Sequence, residues 1–140
     1  MISIYIAARW QDRDRAKAMA KMLTNNGFKI TSGWLGRGGL ATHHKNQTFE
    51  EANRIVAKRD IRDLQKADIL VALLPKKYSK KGTGGRHFEF GFAFATYKPI
   101  VIVGHRSNVF HYLPRIDQID RLGQLVNYLK SGIWKKQIRG

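Results

Sequence analysis

Apolar residues occur along the chain in two alternating patterns, which predict alternating strands and helices. Short runs that are apolar at nearly every position predict strands buried on both faces. Longer stretches with apolar residues every three or four positions predict helices that bury one face. The predicted strands cover residues 2–8, 28–32, 68–74 and 99–103. The predicted helices cover residues 12–25, 48–66, 85–97 and 119–131, and residues 105–117 are predicted to form a loop with a short fifth strand.

This alternation indicates an α/β protein whose parallel sheet is covered by helices on both faces. Right-handed crossovers leave few topologies. The most economical is a flavodoxin-like, Rossmann-like three-layer sandwich with a five-stranded, mostly parallel sheet. We expect a single domain over residues 1–140. Ligands of such sheets bind beyond the carboxyl ends of the strands, so the functional residues are expected at that edge.

Composition excludes several classes of protein. No apolar run approaches the ~20 residues of a membrane-spanning helix, so no membrane partner is expected. No basic-then-apolar leader with a small-residue cleavage site is recognisable, so we expect a cytoplasmic protein. The sequence contains no Cys, which excludes disulfides, thiolate catalysis and Cys-ligated metals.

The charge of the chain favours an anionic partner. Lys and Arg number 26 against 10 Asp and Glu, a formal net charge of +16. Such a field attracts nucleotides, nucleic acid or acidic proteins. No helix-turn-helix and no aromatic sheet surface for stacking bases is recognisable. We therefore expect attraction of an anionic substrate, or nonspecific nucleic-acid binding, rather than sequence-specific recognition.

Residues 82–91, which read G-T-G-G-R-H-F-E-F-G, place one carboxylate in an otherwise apolar stretch. Burying Glu89 there is costly unless the carboxylate is paired or its pKa rises. A fold tolerates such an acid most readily where it takes part in chemistry. The alternative is an ordinary Glu near a helix start, paired with Arg86 or His87. The segment alone leaves both interpretations open.

The glycine turn before Glu89 is a candidate anion-binding site. Gly84 and Gly85 would start a helix there, and free N–H groups and the helix dipole at a helix start point toward a ligand. It is not a P-loop, and neither a dinucleotide fingerprint nor the G-x-S-x-G of a serine hydrolase is present. The adjacent His43 and His44 rarely face one ion, and no carboxylate pattern completes a metal site. We therefore expect no metal and no other cofactor.

Four motifs, in order and over most of the chain, resemble those of the nucleoside 2-deoxyribosyltransferase family. The run I-Y-I-A-A-R-W places Tyr5 and Trp10 at the family's strand-one Tyr and aromatic positions. The run R-D-I-R-D-L-Q-K-A-D places Asp60 eight residues before the acid that opens the third strand. The run G-R-H-F-E-F-G-F-A places Glu89 at the nucleophile position. Asn108 follows the fourth strand and resembles an Asn that a neighbouring subunit lends to the family's site.

The resemblance implies cleavage of the N-glycosidic bond of a nucleoside or a nucleoside 5′-monophosphate. Ionised Glu89 would attack the anomeric carbon and form a glycosyl ester, which another nucleobase or water would then resolve. Asp60 would protonate or hold the leaving base, and Tyr5 would orient Glu89 through a hydrogen bond. Trp10 and Trp34 would stack on the base.

Each of these residues also has an ordinary structural interpretation. A Tyr in a buried strand is usually part of the core, although its hydroxyl needs a partner. Asp60 is equally a solvated helix acid beside Arg59 and Arg62, and the two Trp residues are equally packing residues. A non-catalytic nucleotide-binding module with a basic surface for docking nucleic acid is the alternative function. Retention of both Glu89 and Tyr5 favours the enzyme.

Two departures from the transferase motifs favour a phosphorylated substrate. Thr83 stands six residues before Glu89, where the transferases usually carry Asp. The related deoxynucleoside monophosphate hydrolases carry a hydroxyl residue there that helps bind the 5′-phosphate. Arg9 stands where those hydrolases place another phosphate-contacting hydroxyl. Asn108 indicates the opposite, because the family uses it for a free 5′-hydroxyl, so transferase and hydrolase both stay open.

The resemblance further implies a homodimer or a larger homo-oligomer, since only a neighbouring chain would lend Asn108 to a site. The aromatic residues Phe88, Phe92 and Phe94 would supply an apolar contact between chains.

Overall fold

The computed structural model describes residues 1–36, 47–76 and 84–139. Its five strands are β1 Ser3–Ala7, β2 Lys29–Ile30, β3 Ile69–Leu73, β4 Ile100–Val103 and β5 Ile116–Ile119. They form one sheet in the order β2-β1-β3-β4-β5, and every neighbouring pair is parallel. This is the flavodoxin-like order, so the predicted fold class is confirmed.

Four α-helices lie within the described ranges, and local sequence explains several of their ends. They are α1 Arg13–Asn25, α2 Phe49–Lys66, α3 Gly85–Ala95 and α4 Leu125–Ser131. Helix α1 stops just before Gly27, whose φ of 89° is the left-handed conformation that commonly ends a helix. A capping box starts α2: the Glu51 N–H donates to the Thr48 hydroxyl at 3.1 Å, and the Thr48 N–H donates to the Glu51 carboxylate at 3.2 Å.

Side chains alternate across the sheet and divide the core into two layers. One layer packs β-strand residues such as Ile4 and Ile6 against α1 and α4. The other packs Tyr5 and Ala7 against α2 and α3. Because Tyr5 lies in the second layer, the first strand and the helix that carries Glu89 meet on the same side of the sheet.

The carboxyl-terminal region differs from its prediction. Ile119, predicted to start a helix, ends β5, where it is in register with Val103 of β4, and α4 begins only at Leu125. Strand β5 does not match the apolar strand pattern because two of its four residues are polar. An edge strand with one partly solvated face can contain polar residues. A 3-10 helix at Ile133–Arg139 follows α4 and buries Trp134 against the core.

The described parts of the chain contain no helix that is long and apolar enough to cross a membrane.

Candidate active site

The site is centred on a hydrogen bond between the first strand and the third helix. The Tyr5 hydroxyl donates to Glu89 Oε1 at 2.8 Å. Tyr5 has no exposed surface, whereas Glu89 is only partly buried and keeps access to solvent. The buried Tyr5 hydroxyl therefore finds its hydrogen-bond partner in the Glu89 carboxylate. Among the described residues, neither Arg86 nor His87 forms an ion pair with Glu89, so the ordinary helix-start interpretation has no support here.

The surroundings of this pair disfavour negative charge. Burial raises the pKa of Glu89, the Tyr5 hydrogen bond lowers it, and the Asp60 charge raises it again, which brings it to about 8. Burial also raises the pKa of the Tyr5 hydroxyl, as do the charges of Glu89 and Asp60. Tyr5 therefore remains a neutral donor, and Glu89 changes its charge near neutral pH. Perturbed carboxylates of this kind are typical of active sites.

Helix α2 supplies two acids on the same side of the sheet. Asp60 acts electrostatically on both members of the pair, as a residue beside the site must. Asp63, one turn further along, adds to the rise in the Tyr5 pKa. The Asp63 carboxylate also accepts a hydrogen bond from the Gly33 N–H at 3.0 Å. The sequence analysis did not single out Asp63. Its spacing of three from Asp60, which places both on one helix face, is the signal that could have identified it.

Trp10 and Trp34 lie next to each other beyond the carboxyl ends of β1 and β2, where they could stack on a flat ligand. Their ring centroids are 6.5 Å apart and the planes are tilted by 51°. The Trp34 indole N–H donates to the Ile6 carbonyl at 2.8 Å, which fixes that ring to β1. The Arg13 guanidinium lies 4.6 Å from the centroid of the Trp10 ring. Both rings are partly exposed, so each offers surface to a ligand.

Basic residues converge at the carboxyl end of β1. Arg9 donates to Asp12 Oδ2 at 2.7 Å, and Arg15 donates to Asp12 Oδ1 at 3.3 Å. Arg86, in the first turn of α3, lies near these residues. Burial lowers the Arg86 pKa, the Arg9 charge lowers it further, and the Asp12 charge raises it. The sequence analysis considered Arg86 only as a partner for Glu89 and missed this role.

Two nitrogen atoms of Arg86, Nε and Nη1, are buried and have no hydrogen-bond partner in the described structure. Buried polar atoms are nearly always satisfied in folded proteins, and a cationic donor is especially costly to leave without a partner. Because the nearby Arg9 is also cationic, this region has both the donors and the charge to bind an anion.

The other predicted site residues are Thr83, Gly84, Gly85 and Asn108. Gly84 caps α3 and Gly85 begins it; both are exposed, and a Cβ on either would meet nothing within 4 Å. Thr83 lies outside the described residues. Asn108 caps a 3-10 helix at Val109–Tyr112 by accepting from the Phe110 N–H at 2.9 Å, and it does not join the Tyr5–Glu89 pair of its own chain.

No group of three or more His, Asp or Glu side chains in the described ranges is arranged to hold a metal ion. His43 and His44 lie outside those ranges.

The fold and the Tyr5–Glu89 pair are those of an α/β protein with a candidate active site built around one carboxylate. The chain belongs to the nucleoside 2-deoxyribosyltransferase family, whose model matches residues 4–129. It is therefore an enzyme of the nucleoside deoxyribosyltransferase kind. No curated protein matches the sequence significantly.

Solved structures with the same fold share little sequence with the chain. A conserved protein from Enterococcus faecalis V583 superposes with a TM-score of 0.69 at 16% identity, covering 95% of this chain and 99% of that one. The 2-deoxyribosyltransferase of Bacillus psychrosaccharolyticus gives 0.67 at 18% identity, covering 90% and 91%. The CMP N-glycosidase BcmB of Clostridium botulinum gives 0.60 at 15% identity, covering 92% and 98%.

Proposed function

We propose that the protein cleaves the N-glycosidic bond of a nucleoside 5′-monophosphate through a covalent intermediate on Glu89. The observation that carries this proposal is the 2.8 Å hydrogen bond from Tyr5 to Glu89, beside the Asp60 charge. One partly buried carboxylate held by a neutral phenol has the placement that a nucleophile needs. The carboxylate acts in its ionised form.

In the first step a Glu89 oxygen bonds to the anomeric carbon while the bond from that carbon to the base nitrogen breaks. The base leaves with the bonding electron pair and takes a proton from the protonated form of Asp60 or from solvent. The positive charge that develops on the sugar is stabilised by the adjacent carboxylate. In the second step water, or another nucleobase, attacks the same carbon and releases Glu89 as a carboxylate. The attacking group gives its proton to Asp60 or to solvent.

The two buried Arg86 nitrogens that lack a hydrogen-bond partner among the described residues favour a phosphorylated substrate over a free nucleoside. A 5′-phosphate would satisfy its Nε and Nη1 atoms and bring together charges of opposite sign, with Arg9 adding to the attraction. The structural neighbour BcmB is a CMP N-glycosidase, so the fold is compatible with a nucleoside monophosphate. The formal charge of +16 would attract such a substrate over a longer range.

The test is base release from a panel of ribo- and deoxyribonucleosides and their 5′-monophosphates, resolved by chromatography, with and without an acceptor base. We expect the monophosphates to react at least about tenfold faster in kcat/KM than the nucleosides. Glu89→Gln should abolish release. Intact-mass spectrometry of quenched parent enzyme should show an added sugar phosphate. Unchanged turnover in Glu89→Gln would refute the mechanism.

We further propose that the protein is a homo-oligomer. Large apolar side chains are exposed around the 3-10 helix that Asn108 caps: Val109 is 75% exposed, Phe110 63% and Tyr112 71%. The neighbouring helix α3 exposes Phe88, which stacks on Phe92 with ring centroids 6.3 Å apart. A surface of this kind is typical of a contact between proteins.

A further inference from the structure

A cavity lies on the face of the sheet opposite to Tyr5 and Glu89. Its volume is about 440 Å³, within the usual range of small-molecule sites. It opens between α1 and the carboxyl ends of β3, β4 and β5. This is the edge of a parallel α/β sheet at which ligands bind. Among the described residues that line it, Arg15 also belongs to the cationic group around Asp12, and none of the others was placed at the candidate active site.

The rim of this cavity is basic. Arg15, Lys76 and Arg121 contribute three basic side chains, and His105 lies beside them. Among the described residues that line the cavity, Asp120 is the one acid, and its carboxylate already accepts a hydrogen bond from Gln118 at 2.8 Å. The rim therefore attracts anions, and the long side chains at its mouth can reach a charged group.

The floor of the cavity is apolar. Buried residues Leu73, Leu74 and Val103 form it, and Ala18 and Leu122 form its sides. Gly104 leaves β4 with a φ of 119°, and a Cβ there would lie 3.3 Å from the Leu74 side chain. An apolar floor below a cationic rim suits a molecule with a flat, weakly polar body and a phosphate group, because each part meets matching surface.

We propose that this basic cavity binds a nucleoside phosphate, in addition to the substrate in the active site. The base would lie on the apolar floor, and the phosphate would contact Arg15 and Arg121 at the rim. Inorganic phosphate or pyrophosphate alone would bind less well because it leaves the floor uncovered.

The test is calorimetric titration of ADP into the Glu89→Gln protein, which cannot consume the probe by the proposed mechanism. We expect two sites per chain. Adding Arg121→Glu should weaken one of them at least about tenfold, because it replaces a cation by an anion. Lys29→Glu is the matched control: it makes the same charge change on exposed β2, at the other edge of the sheet, and should leave both sites intact.

A second variant separates the cavity from the general field of the protein. Ala18→Phe would fill the cavity without changing any charge and should also remove one site. Adding Arg86→Gln instead should weaken the other site and leave this one. Equal binding by the Arg121→Glu and Lys29→Glu proteins would overturn the proposal, as would pyrophosphate binding as tightly as ADP. If Arg86→Gln and the turnover panel fail while Arg121→Glu acts as expected, the proposed function is wrong and the cavity site stands.

Discussion

The Tyr5 hydroxyl donates to Glu89 Oε1 across 2.8 Å and joins two residues that are 84 positions apart in the chain. The bond holds the carboxylate in one orientation, and it lowers the Glu89 pKa against the burial that raises it. The same phenol therefore both positions the proposed nucleophile and increases its ionised fraction.

Removing this phenol tests both effects. Tyr5→Phe should lower kcat/KM at pH 7 by roughly ten- to a hundredfold, because a hydrogen bond to a charged group contributes about 1.5–3 kcal/mol. The rising limb of the pH profile should also move to higher pH. Tyr128→Phe is the matched control, since Tyr128 is a partly buried Tyr that donates to Asp117 at 2.6 Å away from the site. Equal activity losses in the two variants would show that Tyr5 acts only through stability.

The pKa of Glu89 predicts the pH dependence of the parent enzyme. The nucleophile must be ionised, so kcat/KM should rise with pH and level off above about 8. Two pH units below this pKa only about one molecule in a hundred carries the active carboxylate, so the rate there should be about a hundredfold lower. Initial rates in a series of buffers measure the limb. A rate independent of pH between 6 and 9 would contradict the assignment.

The same raised pKa has a consequence for stability. Folded Glu89 holds its proton up to about pH 8, whereas an unfolded Glu loses it near pH 4.5. Between these values the folded state binds more protons, so its stability should fall as pH rises. Urea unfolding should show this slope in the parent and a smaller one in Glu89→Gln, whose amide does not titrate.

Arg86 should determine the preference for a phosphate. Arg86→Gln should lower kcat/KM for a nucleoside monophosphate at least about tenfold and leave the nucleoside nearly unaffected, because only the phosphate would contact the guanidinium. Arg54→Gln, on the exposed surface of α2, removes the same charge and should leave both rates close to those of the parent. A uniform loss for both substrates would mean that Arg86 supports the fold and not the phosphate.

Asp12 should stabilise the cationic side of the site. Burial raises its pKa, but the hydrogen bond and charge of Arg9, followed by those of Arg15, lower it below its usual value. Its contribution to stability is therefore present at neutral pH and lost as pH falls through the lowered pKa. Asp12→Asn should cost about 1–3 kcal/mol at pH 7 by urea unfolding, and less near pH 3. Asp14→Asn, at an exposed site on α1, is the control and should change little.

The exposed apolar surface around Phe110 predicts an oligomer, and a single charged substitution in this surface should disrupt it. The parent should sediment as a dimer or larger species, and Phe110→Asp should shift it toward the monomer, since an aromatic side chain central to an interface contributes strongly to binding. Asn108→Ala should preserve the assembly. If Asn108 serves a neighbouring site, this variant should still lower turnover. A monomeric parent with full activity at high dilution would refute the oligomer.

Much of the fold follows from local patterns. Strands β1, β3 and β4 were predicted because buried parallel strands are apolar along their whole length. The start of α2 lies within one residue of its prediction, and the Thr48–Glu51 capping box that marks it is complete within four residues. A short fifth strand was predicted within residues 105–117, but its bounds were misplaced and the terminal 3-10 helix was not predicted, because an edge strand with polar residues and a short irregular helix carry no clear period.

By itself the sequence determined the alternation of strands and helices, the basic charge and the carboxylate in the apolar segment, because periodicity, composition and local motifs can be seen without a fold. Motif resemblance added Tyr5 and Asp60 to Glu89. Only the tertiary structure decided which charges meet: Asp12 between Arg9 and Arg15, two buried Arg86 nitrogens that have no hydrogen-bond partner among the described residues, and Arg121 at the rim of a cavity. These relationships depend on how distant elements cross and how deeply they bury each group, and burial sets the energy of a charge.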